Sequence, residues 1–163
     1  MENSNYIEKI LPSFERYYTV NKENPEEPFF ASAEFSSHGE QYFLVKSAKL
    51  AEIDSKEFVY FYESKMLSFE DIKNLSQKAW NLSQSKIKPY YGHKNSDVSL
   101  IIACSSLDEK AKKNIKKIKF SKSYKWGFFG WSNFKLAIKE LSSNKVYFNR
   151  LGSDWKKLLL KIN

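Results

Sequence analysis

Glu63-Ser64-Lys65 is where residue type and spacing come nearest to chemistry, because residues two apart on a β-strand point the same way and a carboxylate and an ammonium then share one face. The nearest acid upstream is Asp54, with Glu34 as a further one. The same tripeptide also describes an exposed ion pair at a strand end, which is its commoner meaning. His38 and His93 fall in predicted loops with no partner at metal-ligand spacing, and they read as solvated turn histidines rather than as ligands or a general base. Cys104 closes an apolar run, where a thiol acts as a small buried hydrophobe. Gly127-Phe128-Phe129-Gly130 lacks the Gly-Lys-Ser/Thr ending of a phosphate loop, so neither a nucleotide site nor any cofactor or metal site is expected.

Residues 124–131, Tyr-Lys-Trp-Gly-Phe-Phe-Gly-Trp, place five aromatic rings and two glycines in eight positions. Such a segment can be a hairpin whose rings fill the core, a stacking platform for single-stranded nucleic acid, or an exposed patch for a protein partner or self-association. The hairpin is the leading reading, since glycines flank tight turns and aromatic strands pack well. Tyr124 and Trp126 then share a strand face with Phe120, leaving Phe128 and Phe129 at the tip as the exposed contact. Lys122, Lys125, Phe128, Phe129 and Trp131 form the candidate binding set.

These candidates need a scaffold, and 163 residues supply about one domain, taken here as residues 1–163, able to bury roughly two-thirds of its unfolded surface. The hydrophobic fraction of 42% and aromatic fraction of 17% exclude a disordered chain. Net charge is +8, distributed unevenly: residues 1–81 carry 9 basic and 14 acidic side chains, residues 82–163 carry 18 and 5. An acidic half is joined to a basic half, and either the halves attract each other or the lysines solvate a face or meet an anionic partner. Only Arg16 and Arg150 are arginines, which weighs against base-specific nucleic-acid recognition. A single cysteine excludes an intrachain disulfide and a thiolate metal cage, and suits a reducing compartment. The N-terminal residues carry charges where a signal peptide needs an apolar core, and the longest apolar run, Leu100-Ile101-Ile102-Ala103-Cys104, is too short to span a bilayer. A cytoplasmic protein without a membrane partner is the expectation.

Helical spacing of Ile7, Ile10, Leu11 and Phe14 predicts a helix over residues 5–18, kinked or divided at Pro12. Residues 29–35, 42–50 and 58–62 read as a three-stranded antiparallel meander with a turn at 37–40. Ser68 and Asp71 make a capping box for a helix ending near Ile87, and residues 98–104 are a short buried strand. Residues 106–109 open a Lys-rich helix by a second capping box. Strands at 120–126, 134–138 and 146–148 form a second meander, and Ser153 caps a last helix. The predicted class is α+β, antiparallel meanders with helices packed on the sheet in the order α-βββ-α-β-α-βββ-α.

Two resemblances bear on this. Residues 115–120, Lys122-Ser123-Tyr124, Trp126-Gly127, Gly130-Trp131 and Val146-Tyr147-Phe148-Asn149-Arg150 with Gly152 resemble a family of small bacterial, clostridial-type proteins of unknown function. That likeness extends to the first helix and the 42–49 strand. It implies one cytoplasmic domain, favours a strand over a helix at 134–138, and brings no activity or site. More partially, the helix, meander, helix and strand around Glu63 and Lys65 resemble the restriction-endonuclease-like nuclease core, whose Glu-x-Lys works with an upstream Asp to hold Mg²⁺ and activate water. That likeness implies Glu63, Lys65 and Asp54 as a catalytic set. The expected function is non-catalytic binding through the basic half, with a metal-dependent nuclease as the alternative.

Overall fold

The computed structural model describes residues 5–36, 54–91 and 93–163. The strand expected at 42–50, the turn at 37–40 and His38 lie outside the described residues. Pro12 divides the first helical stretch as its missing N–H requires: α1 (Tyr6–Ile10) ends, and α2 (Pro12–Glu15) opens with Pro12 in its first turn. β1 (Thr19–Asn21), β2 (Ala31–Ser36) and β3 (Asp54–Leu67) follow as antiparallel neighbours. α3 (Phe69–Lys86) begins with the predicted capping box, in which Ser68 Oγ accepts the Asp71 N–H and the Asp71 carboxylate accepts the Ser68 N–H.

From α3 the chain enters β4 (His93–Leu107), which lies parallel to β3. It crosses again through α4 (Glu109–Asn114), a 3₁₀ turn (Ile115–Lys117) and β5 (Ser121–Ser123) to reach β6 (Trp131–Glu140), parallel to β4. β7 (Lys145–Phe148) turns back antiparallel to β6, and a 3₁₀ turn (Leu151–Trp155) leads into α5 (Lys156–Lys161). Among the described residues the strand order is β1-β2-β3-β4-β6-β5, with β7 also on β6.

The class is α+β, but the sheet is mixed rather than built of antiparallel meanders. Antiparallel pairing holds on the flanks, while β3, β4 and β6 run parallel at the centre. An 18-residue helix is long enough to return the chain to the start of the sheet, and a crossover of that kind sets its strands parallel. The apolar run at 100–104 fits that position, because a central parallel strand is covered on both faces.

Helices accordingly cover both faces. On one, Phe58, Tyr60, Leu100, Ile102, Phe134 and Leu136 meet Ile72, Ala79 and Trp80 of α3; on the other, Val59, Phe61, Ile101, Ala103 and Ala137 meet Ile7, Ile10 and Phe14 of α1 and α2 and Leu159 of α5. Two predicted caps are corrected. Asp108, not Ser106, caps α4 by accepting the Ala111 N–H, and Ser153 lies inside the 3₁₀ turn while α5 starts without a side-chain cap.

The outer edge of β6 is shared, with β5 pairing at residues 131–133 and β7 at 137–140. Asn149 fills the interval between them. Its Oδ1 accepts the Leu136 and Gly152 N–H groups, its Nδ2 donates to the Ile118 and Phe134 carbonyls, and its own N–H donates to the Leu136 carbonyl. Asn149→Ala leaves four buried backbone groups without these partners, so the variant should lose about 3–5 kcal/mol of unfolding free energy in urea titration. A loss below about 1 kcal/mol would show that the amide is not what joins the two half-edges.

Candidate interaction surface

Residues 124–130 join β5 to β6 as the predicted hairpin and close on themselves. The Tyr124 N–H donates to Gly130 O at 2.9 Å, and the Gly127 and Phe129 N–H groups both donate to Tyr124 O. Tyr124 turns inward, its hydroxyl donating to Gln84 Oε1 at 2.9 Å and lying 2.8 Å from Ser132 Oγ. Phe129 is half-buried against the α3-side core, and its carbonyl accepts from His93 Nδ1 at 2.6 Å.

His93 is therefore no solvated loop residue. It is buried at the first position of β4, and with its proton on Nδ1 for Phe129 O, Nε2 accepts the Ser96 hydroxyl at 2.8 Å. Gly130 brings the hairpin still closer to β4. At φ +80° a Cβ would lie 2.2 Å from Lys94 O, so only glycine permits the approach.

What remains outside is aromatic. Lys125 and Trp126 occupy the left-handed region at φ 47° and 54°, a conformation that costs an L-residue about 1–2 kcal/mol. This turn throws Trp126 outward to 96% exposure, with Phe128 at 71% and Trp131 at 47%. The expectation that Trp126 packs beside Phe120 and Tyr124 fails because the strand ends at Ser123, where side-chain alternation stops. Of the candidate binding set, Lys122, Lys125, Phe128 and Trp131 are exposed, whereas Phe129 points to the core. The chain leading into His93 adds exposed Tyr90 and Tyr91, the latter at 81%, with Lys88 and Lys94. Their adjacency comes from β4–β6 pairing, which no local pattern in the sequence discloses. For Trp126 the one available signal was the glycine that follows it.

The charge is as one-sided as the rings. Residues 110–139 contain ten lysines and no carboxylate. Acidic and basic halves do meet, through Lys86–Glu26, Lys110–Glu70 and Lys135–Glu57. Among the described residues, however, Lys88, Lys94, Lys113, Lys116, Lys117, Lys119, Lys122 and Lys125 form no ion pair. Lys122 instead lies over the Tyr124 ring, 5.5 Å from its centroid.

The hydrolytic candidates lie on β2 and β3. Glu63 faces α1, where its Oε2 accepts the Ile7 N–H at 3.2 Å, and Lys65 is exposed further along β3. Asp54 opens β3 with its backbone, and its side chain lies outside the described residues. Glu34 is registered against Phe58, on the opposite face of the sheet from Glu63, in a cleft of about 680 Å³ that it shares with Glu26, Tyr60 and Lys86.

A lysine-centred ion-pair cluster that the sequence does not disclose joins β3, β4, β6 and the 3₁₀ turn at Leu151–Trp155. Lys135 Nζ lies 3.7 Å from Glu57, 3.4 Å from Asp97 and 3.2 Å from Asp154, in the place a cation would take. Burial alone would lower the Lys135 pKa, but the carboxylates hold it above the usual lysine range. Among the described residues no three His, Cys, Asp or Glu side chains converge as a metal requires. Nor is any described helix long and apolar enough to cross a membrane.

A profile of the family described as Domain of unknown function (DUF8052) matches residues 2–161. No curated protein and no solved structure matches the chain.

Two measurements check the placement of these residues. Trp126→Gly removes an exposed ring from a left-handed position, so unfolding free energy should stay level or rise by up to about 1 kcal/mol; a loss of that size would mean that the ring packs. Cys104 is fully buried beside Glu140, and burial first, then that carboxylate, pushes its thiol up to about 12. It should resist a thiol reagent at mildly alkaline pH in the native protein and react when the chain is unfolded. Prompt native labelling would place the thiol elsewhere.

Proposed function

The chain belongs to the family of the DUF8052 domain of unknown function, and on that footing we propose that it works by binding rather than by catalysis, with the hairpin at residues 122–131 as the contact surface and an anionic partner. One observation carries this reading. A tryptophan with nothing packed on it stands on a strained turn just after Lys122 and Lys125, which form no ion pair. Left-handed non-glycine residues persist where the surrounding structure enforces them and cluster at ligand-contacting sites. Exposed contiguous rings mark interaction surfaces, and lysines without carboxylates beside them select negative partners. No observation favours the metal-dependent nuclease, since Glu63 already accepts from the α1 backbone and Glu34 stands on the other face.

The test is a titration of the full chain with three anionic probes: an oligothymidylate, polyglutamate, and phosphatidylcholine vesicles containing about one-third phosphatidylserine. At least one should bind, and both Lys122→Glu/Lys125→Glu and Trp126→Gly/Phe128→Ser should weaken that binding about tenfold or more. Retention of none of the three, or equal binding by the ring variant, would overturn the proposal.

A further inference from the structure

The chemistry of the partner follows from the kind of surface these rings fit. We infer that it is the surface of an anionic lipid bilayer, whose interface receives Trp126, Phe128 and Trp131 while Lys122 and Lys125 lie against its headgroups. This rests on the binding reading above and adds the chemical class of the partner.

Trp126 discriminates among partners. A ring that serves as a stacking platform for bases is held flat by protein behind one face, leaving the other for the base. At 96% exposure Trp126 has no protein behind either face. A bilayer interface, by contrast, surrounds a ring on all sides. It also favours these side chains, since tryptophan and tyrosine concentrate at the headgroup level, with an apolar body below and a polar edge above.

The placement is also that of a surface meeting a plane. The hairpin precedes β6 and the Tyr90–Tyr91 stretch precedes β4, and because these strands are parallel both connections lie at one end of the sheet. His93 Nδ1 to Phe129 O and the approach of Gly130 to Lys94 O lock the two together. Exposed Tyr90, Tyr91, Trp126, Phe128 and Trp131 therefore share one end with Lys88, Lys94, Lys122 and Lys125, and residues 86–96 and 110–139 contain no carboxylate. Rings enter the interface and cations reach the lipid charge at the same time, the combination by which peripheral proteins bind without a spanning segment. This departs from the expectation of no membrane partner, which followed from the lack of an apolar run long enough to span a bilayer.

The experiment is flotation of the full chain with phosphatidylcholine vesicles, plain or with about one-third phosphatidylserine, together with tryptophan emission. The protein should float with the anionic vesicles and much less with the neutral ones, its emission should shift to the blue, and binding should fall as salt rises. Neutralising Lys122 or Lys125 to Gln should weaken binding about fivefold each. Trp126→Gly/Phe128→Ser should abolish both flotation and shift, while Met66→Ser, a side chain 70% exposed at the opposite end of the sheet, should change neither. Absence of flotation with anionic vesicles, equal flotation of the ring variant, or equal binding to neutral vesicles would overturn the inference. Ring-dependent binding to oligothymidylate or polyglutamate without vesicle binding would overturn it and leave the broader binding proposal standing, whereas binding to no probe would end both.

Discussion

The side-chain amide of Asn149 is the contact on which the second half of the structure depends. A strand edge shared by two short partners leaves backbone groups between them, and buried backbone groups without partners are costly. Asn149 stands in for the missing strand residues, supplying both an acceptor and a donor to β6. The same oxygen holds the Gly152 N–H, and Gly152 must be glycine because a Cβ there would meet Leu136 O at 1.9 Å. The 3₁₀ turn that follows is thereby pressed to the sheet, where Asp154 reaches Lys135 and the Trp155 indole donates to Ser99 Oγ at 3.0 Å. One amide thus connects the β6 edge to the core beneath α1 and α5.

Burial of β4 on both faces decides where polar chemistry can sit. Residues 98–104 are fully covered, and the buried ionisable groups His93, Lys139 and Glu140 each make hydrogen bonds. Glu57 accepts from Tyr18 and Ser99 and meets Lys135. Lys139 is a buried ammonium with no carboxylate beside it among the described residues, and burial lowers its pKa. It donates to Asn144 and to Leu159 O, the carbonyl that Tyr6 also holds, in the last turn of α5, where a helix end carries partial negative charge. These groups serve the fold.

Local signals in the sequence were sufficient for local structure. Pro12 dividing the first helix, the Ser68–Asp71 box, the strand at Phe134 and the glycine-marked hairpin all follow from one or two turns of chain. Strand direction was not local. Whether β4 pairs parallel or antiparallel is decided by where an 18-residue helix returns the chain, and the apolar run at 100–104 carried that information only as a hint of burial on both faces. The candidate surface divides in the same way. Lys122, Lys125, Phe128 and Trp131 could be read from one segment, while Tyr90, Tyr91, Lys88 and Lys94 join them only through tertiary pairing. Trp126 escapes the two-residue period because the strand ends at Ser123.

The aromatic segment is core and surface at once, and its backbone makes the division. Tyr124 and Phe129 are anchors: one hydrogen-bonds to α3 and β6, and the other packs on the core while its carbonyl holds His93. Between these anchors the chain has four residues in which to turn, and it does so with left-handed conformations at Lys125, Trp126 and Gly127. A loop positioned only by the packing of its rings would relax such strain by turning Trp126 inward. Here the Tyr124 carbonyl holds two loop amides and Gly130 is seated on β4, so relaxation would break contacts that support the sheet. The exposure of Trp126 is therefore imposed by the backbone rather than left over from packing, and a ring held out in this way is ready to meet a partner without first being released from the fold.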